Sequence, residues 1–211
     1  MLLADLHVHT TWSDGRLSMS EVVDLFGRSG HDVIAITDHV VNSDNVIGKV
    51  THRFGLSVTK ENFDAYRSEI DRQARRAWDE YRMVVLSGVE LTQNRFRRNQ
   101  SAHALALGVD DFISAEGTVE EMLTRANDAD AVVIACHPNE QSDFWANTFI
   151  SGIAARKYRG SFIYGRSPAD GISFHRWRAH DFHLSATAIF TIVRIYTRGR
   201  RCCRARKTPR M

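Results

Sequence analysis

The stretch DLHVHTTWSDG, residues 5–15, sets His7 and His9 two apart at the end of an apolar run, with Asp14 five residues on. Imidazole and carboxylate together suit borderline and hard divalent ions such as zinc, manganese or iron. Further residues of the same kind recur along the chain: Asp38 and His39 in TDH, Glu90 in GVEL, His103 in AHALALG and His137 in CHP. Taken singly, each has an ordinary explanation. A strand-end histidine usually packs, and Asp14 before Gly15 is turn chemistry. Cys136 reads as a small buried residue, and His31, His52, His175 and His180 carry no more than that kind of reading. Taken jointly, ligands at five separate strand ends exceed what packing explains. They also exceed what one tetrahedral ion needs. Two or three divalent ions are therefore expected, with the carboxylate of Glu90 a natural bridge.

Such ligands need a scaffold that brings them together. LLADLHV is a compact apolar run and predicts a buried strand, whose period of two puts His7 and His9 on one face. SMSEVVDLFGRSG predicts a helix, with Ser18 and Glu21 at capping-box spacing and Gly30 as its stop. DVIAIT (32–37) predicts a second strand ending at Asp38 and His39. The segment 59–81 predicts a long amphipathic helix, with Phe63, Tyr66, Ile70, Ala74, Ala77 and Tyr81 on one side. MVVLSGVEL (83–91), HALALGV (103–109) and AVVIAC (131–136) predict three more strands. TVEEMLTRANDA (118–129) predicts another capped helix. Strands alternating with helices imply parallel strands with crossovers, and their unbroken apolar runs imply cover on both faces. An α/β barrel or open sheet is expected, and in a parallel barrel the strand ends converge on one face. His103 begins its strand. It reaches that face if the connection from Glu90 is a hairpin, so that its strand runs antiparallel.

The chain has 211 residues, 43% hydrophobic and 25% charged, the range of a globular domain. No apolar run approaches the ~18 residues that would cross a bilayer, so no membrane partner is expected. The opening residues do not read as a secretory signal. Three cysteines, two of them adjacent, make no disulfide framework, and a reducing cytoplasm is the expected compartment. The sequence carries no sign of oligomeric state. Charge is uneven. Residues 1–155 hold 14 Lys+Arg against 23 Asp+Glu, whereas residues 156–211 hold 14 against 2. The chain accordingly divides into a metal-binding barrel core (1–155) and a basic C-terminal segment (156–211). That segment reads either as a genuine extension closing the barrel or as translation in a shifted frame.

The motifs resemble those of the PHP family (polymerase and histidinol phosphatase). DLHVHTTWSDG is similar to that family's first motif, AITDH to its second, GVEL with AHALALG to its third, and CHP to its fourth. The resemblance covers roughly residues 3 to 140. It implies a distorted seven-stranded (β/α) barrel, incomplete at its C-terminus if the tail is aberrant, and a two- or three-metal phosphoesterase site. Carried over residue by residue, it implies that His7, His9 and Glu90 hold one ion. Glu90 would bridge to a second with His103 and His137, and Asp14 and His39 would serve a further site. The family's late S-D-x-H motif has its nearest counterpart in AHDFH, which offers Asp181 and His183 with His180 in place of the serine.

Clustered divalent ions lower the pKa of a bound water and clamp phosphate oxygens, so no side-chain nucleophile is required. Asp38 is expected as general base or as support behind His39. The loop TQNRFRRNQ offers Arg95, Arg97 and Arg98 either as a solvated charged loop or as a guanidinium fork for substrate phosphate. The expected activity is hydrolysis of a small phosphate ester, such as a nucleotide or a sugar or amino-alcohol phosphate. The alternatives are a module acting on nucleic-acid ends and a weakly active metal-binding remnant.

Overall fold

A computed structural model describes residues 3–44, 46–94 and 101–136. Ten elements follow in chain order: β1 (Ala4–Val8), α1 (Met19–Arg28), β2 (Val33–Ile36), β3 (His39–Val41), α2 (Val46–Arg53), α3 (Phe63–Tyr81), β4 (Val84–Gln93), β5 (Ala102–Leu107), α4 (Val119–Asp128) and β6 (Val132–Cys136). The strands form one mixed sheet in the order β1-β2-β4-β5-β6, with β3 also paired to β4. The result is a half-barrel flanked by helices, the α/β barrel class that the sequence implies.

Local signals act where they were expected. Both capping boxes form: the Ser18 hydroxyl accepts from the Glu21 N–H at the start of α1, and Thr118 does the same with Glu121 at α4. Gly30, just past α1, takes the left-handed φ of +79° that suits glycine. β4 and β5 are antiparallel, with Glu90 opposite Leu105 and Thr92 opposite His103. The hairpin alternative for His103 is thus the one realised, and the sheet is mixed where alternating strands and helices alone imply parallel pairing.

Two features depart from the sequence reading. The strand expected over 32–37 ends at Ile36, and His39 does not close it but opens β3. β2 and β3 lie one after the other along the same edge of β4. Val33–Ile36 pair with Val84–Ser87, and His39–Val41 pair with Glu90–Thr92. Thr37 and Asp38 form the break between them. The second departure is α2, whose residues VIGKVTHR lack a buried stripe dense enough to be read as a helix.

The sheet has a core on each face. The larger packs β-strand residues such as Ile34, Ile36, Val85, Val89 and Leu91 against α1, α3 and α4. The smaller joins Val33, Ala35, Leu86, Leu105, Leu107 and Ile134 on the opposite face. Strand periodicity puts Glu90 and Thr92 on the same side of β4 as Leu86, and His103 on the same side of β5 as Leu105. One face of the sheet therefore changes, partway along β4 and β5, from apolar packing to chemistry.

Candidate metal centre

Glu90 is the hub. Its side chain is 1% exposed, and among the described residues four imidazoles surround it. The Nε2 atoms of His7 and His9 lie 2.9 and 3.0 Å from Oε2, and His39 Nδ1 lies 3.4 Å from the same oxygen. His103 Nδ1 approaches the other oxygen, Oε1, at 2.8 Å. The two carboxylate oxygens thus face different histidines. Burial by itself would raise this carboxyl's pKa, but the contacts with His103, His7 and His9 hold it well below the usual range.

A second group shares His9. Asp14 Oδ1 is 3.3 Å from His9 Nδ1 and 3.6 Å from His39 Nε2. The contact with His39 is the chief reason that the Asp14 carboxyl falls to about 2. Burial opposes charge on His9, yet its neighbours Glu90 and Asp14 outweigh it and raise the imidazole above its ordinary value. Donor atoms of His7, His9 and Glu90 form one cluster able to hold an ion, and those of His9, Asp14 and His39 form another. These residues fit divalent ions on their chemistry. A buried carboxylate calls for a compensating positive charge, which a divalent ion would supply in place of a proton on His9, and nitrogen with oxygen is the donor mix such ions take.

Positioning comes from residues behind the donors. Thr92, two residues along the same face of β4 from Glu90, places its hydroxyl 2.7 Å from His39 Nδ1. Asn94 Oδ1 lies 3.0 Å from His103 Nε2. Period-two alternation beyond Glu90 was the signal in the sequence that could have found Thr92 and Asn94. Asp38 is fully buried and faces the loop after β1. Its carboxylate accepts from the Thr10 N–H at 2.7 Å, the Thr10 hydroxyl at 2.8 Å and the Ser13 hydroxyl at 2.7 Å. It therefore ties down the loop that carries His9 and Asp14. Burial pushes its pKa up against those hydrogen bonds. Tyr66 of α3 was expected only as core. Its hydroxyl accepts from the Asp38 N–H at 3.2 Å and donates to the Gly88 carbonyl at 2.9 Å, locking the break between β2 and β3. Gly15 closes the loop with its N–H on the Thr10 carbonyl at 3.0 Å, and any Cβ there would strike the His9 backbone. This is the physical need behind S-D-G.

Cys136 is buried beside His103, across the β5–β6 pair, and its thiol is pushed well above its ordinary pKa by burial and the charge of Glu90. His31 packs edge-on against Phe26, and His52 Nε2 lies 2.8 Å from the Val41 carbonyl, away from the donors. Arg95, Arg97, Arg98, His137, Asp181 and His183 lie outside the described residues, as does the segment 156–211. Among the described residues no helix is long and apolar enough to cross a membrane.

Comparison with known proteins adds further likenesses. The chain is 49% identical over 87 residues to the DNA polymerase/3'-5' exonuclease PolX of Bacillus subtilis. That match spans 41% of this chain and 13% of the relative's length. A two-domain protein from Bacteroides vulgatus containing a predicted PHP-like metal-dependent phosphoesterase shares 18% identity, covering 72% of this chain and 42% of that one, with a TM-score of 0.48. An amidohydrolase from Chromobacterium violaceum shares 13%, covering 74% and 75%, with a TM-score of 0.47. The model of the PHP domain family matches residues 5–144, from the first histidine motif to beyond CHP. By that match over most of its length, the chain belongs to the PHP domain family.

Proposed function

We propose that this chain is a metal-dependent phosphoesterase acting on phosphate esters at nucleic-acid ends. The observation that supports it best is the position of Glu90, buried with one oxygen toward His7 and His9 and the other toward His103. A carboxylate so placed can bridge two cations while its own charge offsets their repulsion. Divalent ions bound there, zinc, manganese or iron, would lower the pKa of a bound water toward neutrality and neutralise phosphate charge. The protein's own part is to hold that site rigid. Thr92 and Asn94 orient the rings of His39 and His103, and Asp38 anchors the loop bearing His9 and Asp14. No side chain need act as nucleophile. Of the two substrate classes the sequence suggests, the 49% identity to part of an exonuclease-bearing polymerase favours nucleic-acid ends over a small phosphate ester.

The test is metal content together with turnover. The protein loaded with manganese or zinc is expected to carry at least two ions per chain. It is expected to hydrolyse single-stranded oligonucleotides, and p-nitrophenyl phosphate more slowly. Fewer than one ion after loading, or no turnover of either substrate at full metal occupancy, would overturn the reading.

A further inference from the structure

We infer that the outward face of α2, continued by Phe54, docks single-stranded nucleic acid beside the metal centre. This rests on the phosphoesterase reading only for the purpose of the contact; the contact itself is read from the surface. Val46, Val50 and Phe54 are 65%, 47% and 71% exposed, and they recur at the four-residue spacing of a single helix face. Lys49 and Arg53 are exposed in the same stripe and make no ion pair among the described residues. The stripe itself holds no carboxylate, though the charge of Lys49 reaches Asp44 just ahead of α2.

An exposed aromatic flanked by cations is a poor surface for water and a good one for a stacked base with its phosphates. A purely apolar partner would add no counter-charge for either cation. A polyanion with π-faces satisfies the cations and the ring together, so charge complementarity selects nucleic acid over a greasy protein surface.

The location is as telling as the composition. The inner side of α2 sits on the strand that begins with His39. His52 Nε2 lies 2.8 Å from the Val41 carbonyl, and Gly48 packs so close to the Asn42 carbonyl that a Cβ could not fit. The chain then turns through Phe54 and Leu56. Val58 N–H donates to the carbonyl of His39 itself at 2.7 Å, and Val41 N–H donates to the Ser57 hydroxyl at 3.1 Å. The exposed ring is therefore carried on a turn fastened to the backbone of a site residue.

The experiment uses the full chain in EDTA, where nothing is hydrolysed, and a fluorescein-labelled oligothymidine of about 12 nucleotides, within the usual footprint of such surfaces. Anisotropy titrations are run at several salt concentrations. Phe54→Ala is expected to weaken binding roughly tenfold at every salt concentration. Lys49→Gln and Arg53→Gln are each expected to weaken it chiefly at low salt and to reduce the slope of log Kd against log salt by about one. All three positions are exposed, so metal content and turnover of p-nitrophenyl phosphate should equal those of the parent. No binding by the parent, or equal binding by all three variants, overturns the proposal. So does a change in self-association by light scattering with oligonucleotide binding intact, which would give the face to a second copy. A parent that binds in a Phe54-dependent manner yet hydrolyses nothing would sink the phosphoesterase reading and leave this one standing.

Discussion

Glu90 and Asp38 are both buried acids in the same small region, and their surroundings set them different tasks. Glu90 meets imidazoles, the kind of group that can share a metal with it; Asp38 meets a backbone N–H and two hydroxyls, which are donors. Replacing each by its amide separates the roles. Glu90→Gln removes the charge that two cations would share, so metal stoichiometry by elemental analysis should drop and hydrolysis should disappear. Asp38→Asn turns a donor-NH2 toward groups that themselves donate. It should cost about 1–3 kcal/mol of stability in urea unfolding and about 10- to 100-fold in activity, with metal still bound at saturation. Equal loss of metal in the two variants would contradict this division.

At the scale of elements, the site depends on an interruption. β2 and β3 would form one strand along β4 but for Thr37 and Asp38, and the break lets the Asp38 carboxylate face the loop after β1. Helix α3 holds the break open from behind through the Tyr66 hydroxyl, which is wholly buried between the Asp38 N–H and the Gly88 carbonyl. Tyr66→Phe keeps the ring packing and orphans both backbone groups. We expect a loss of about 1–3 kcal/mol by urea unfolding, with helix content unchanged by circular dichroism. A variant as stable as the parent would mean that the phenol contributes packing alone.

At the scale of the whole molecule, a metal held at the proposed site would be coupled to proton binding and to stability. His9 has a higher pKa in the folded chain than its ordinary 6.5, because Glu90 and Asp14 outweigh the burial that opposes its charge. In the metal-free protein, its contribution to stability is fully present below that unfolded value and is lost as pH rises through the raised folded one. A divalent ion held by His9 would compete with the same proton and bind more tightly as pH rises. The gap in Tm between metal-loaded and EDTA-treated protein should therefore be wider at pH 8 than at pH 6. A gap that stays constant or narrows would show that His9 does not exchange a proton for a metal.

Much of this was legible before any coordinates. Alternation and apolar runs located β1, β4, β5 and β6, and reciprocal capping residues located α1 and α4, because those signals act over a few neighbouring residues. The donors His7, His9, His39, Glu90 and His103 stood out by type and by their place at the expected strand ends, although β4 runs on to Gln93 so that Glu90 lies within it, and His39 opens β3. Their partners could not be read in the same way. That β5 turns back, bringing His103 to Glu90, depends on pairing across the loop between them. That Asp38 serves the 10–13 loop, and that Tyr66 serves Asp38, depends on contacts between residues 25 to 28 apart. The sequence by itself determined which residues can bind metal and which segments carry them, since both follow from side-chain chemistry and short-range periodicity. Only the tertiary structure decided which oxygen meets which imidazole and which buried acid faces imidazoles and which a loop, since a side chain's surroundings are set by neighbours that the chain supplies from elsewhere.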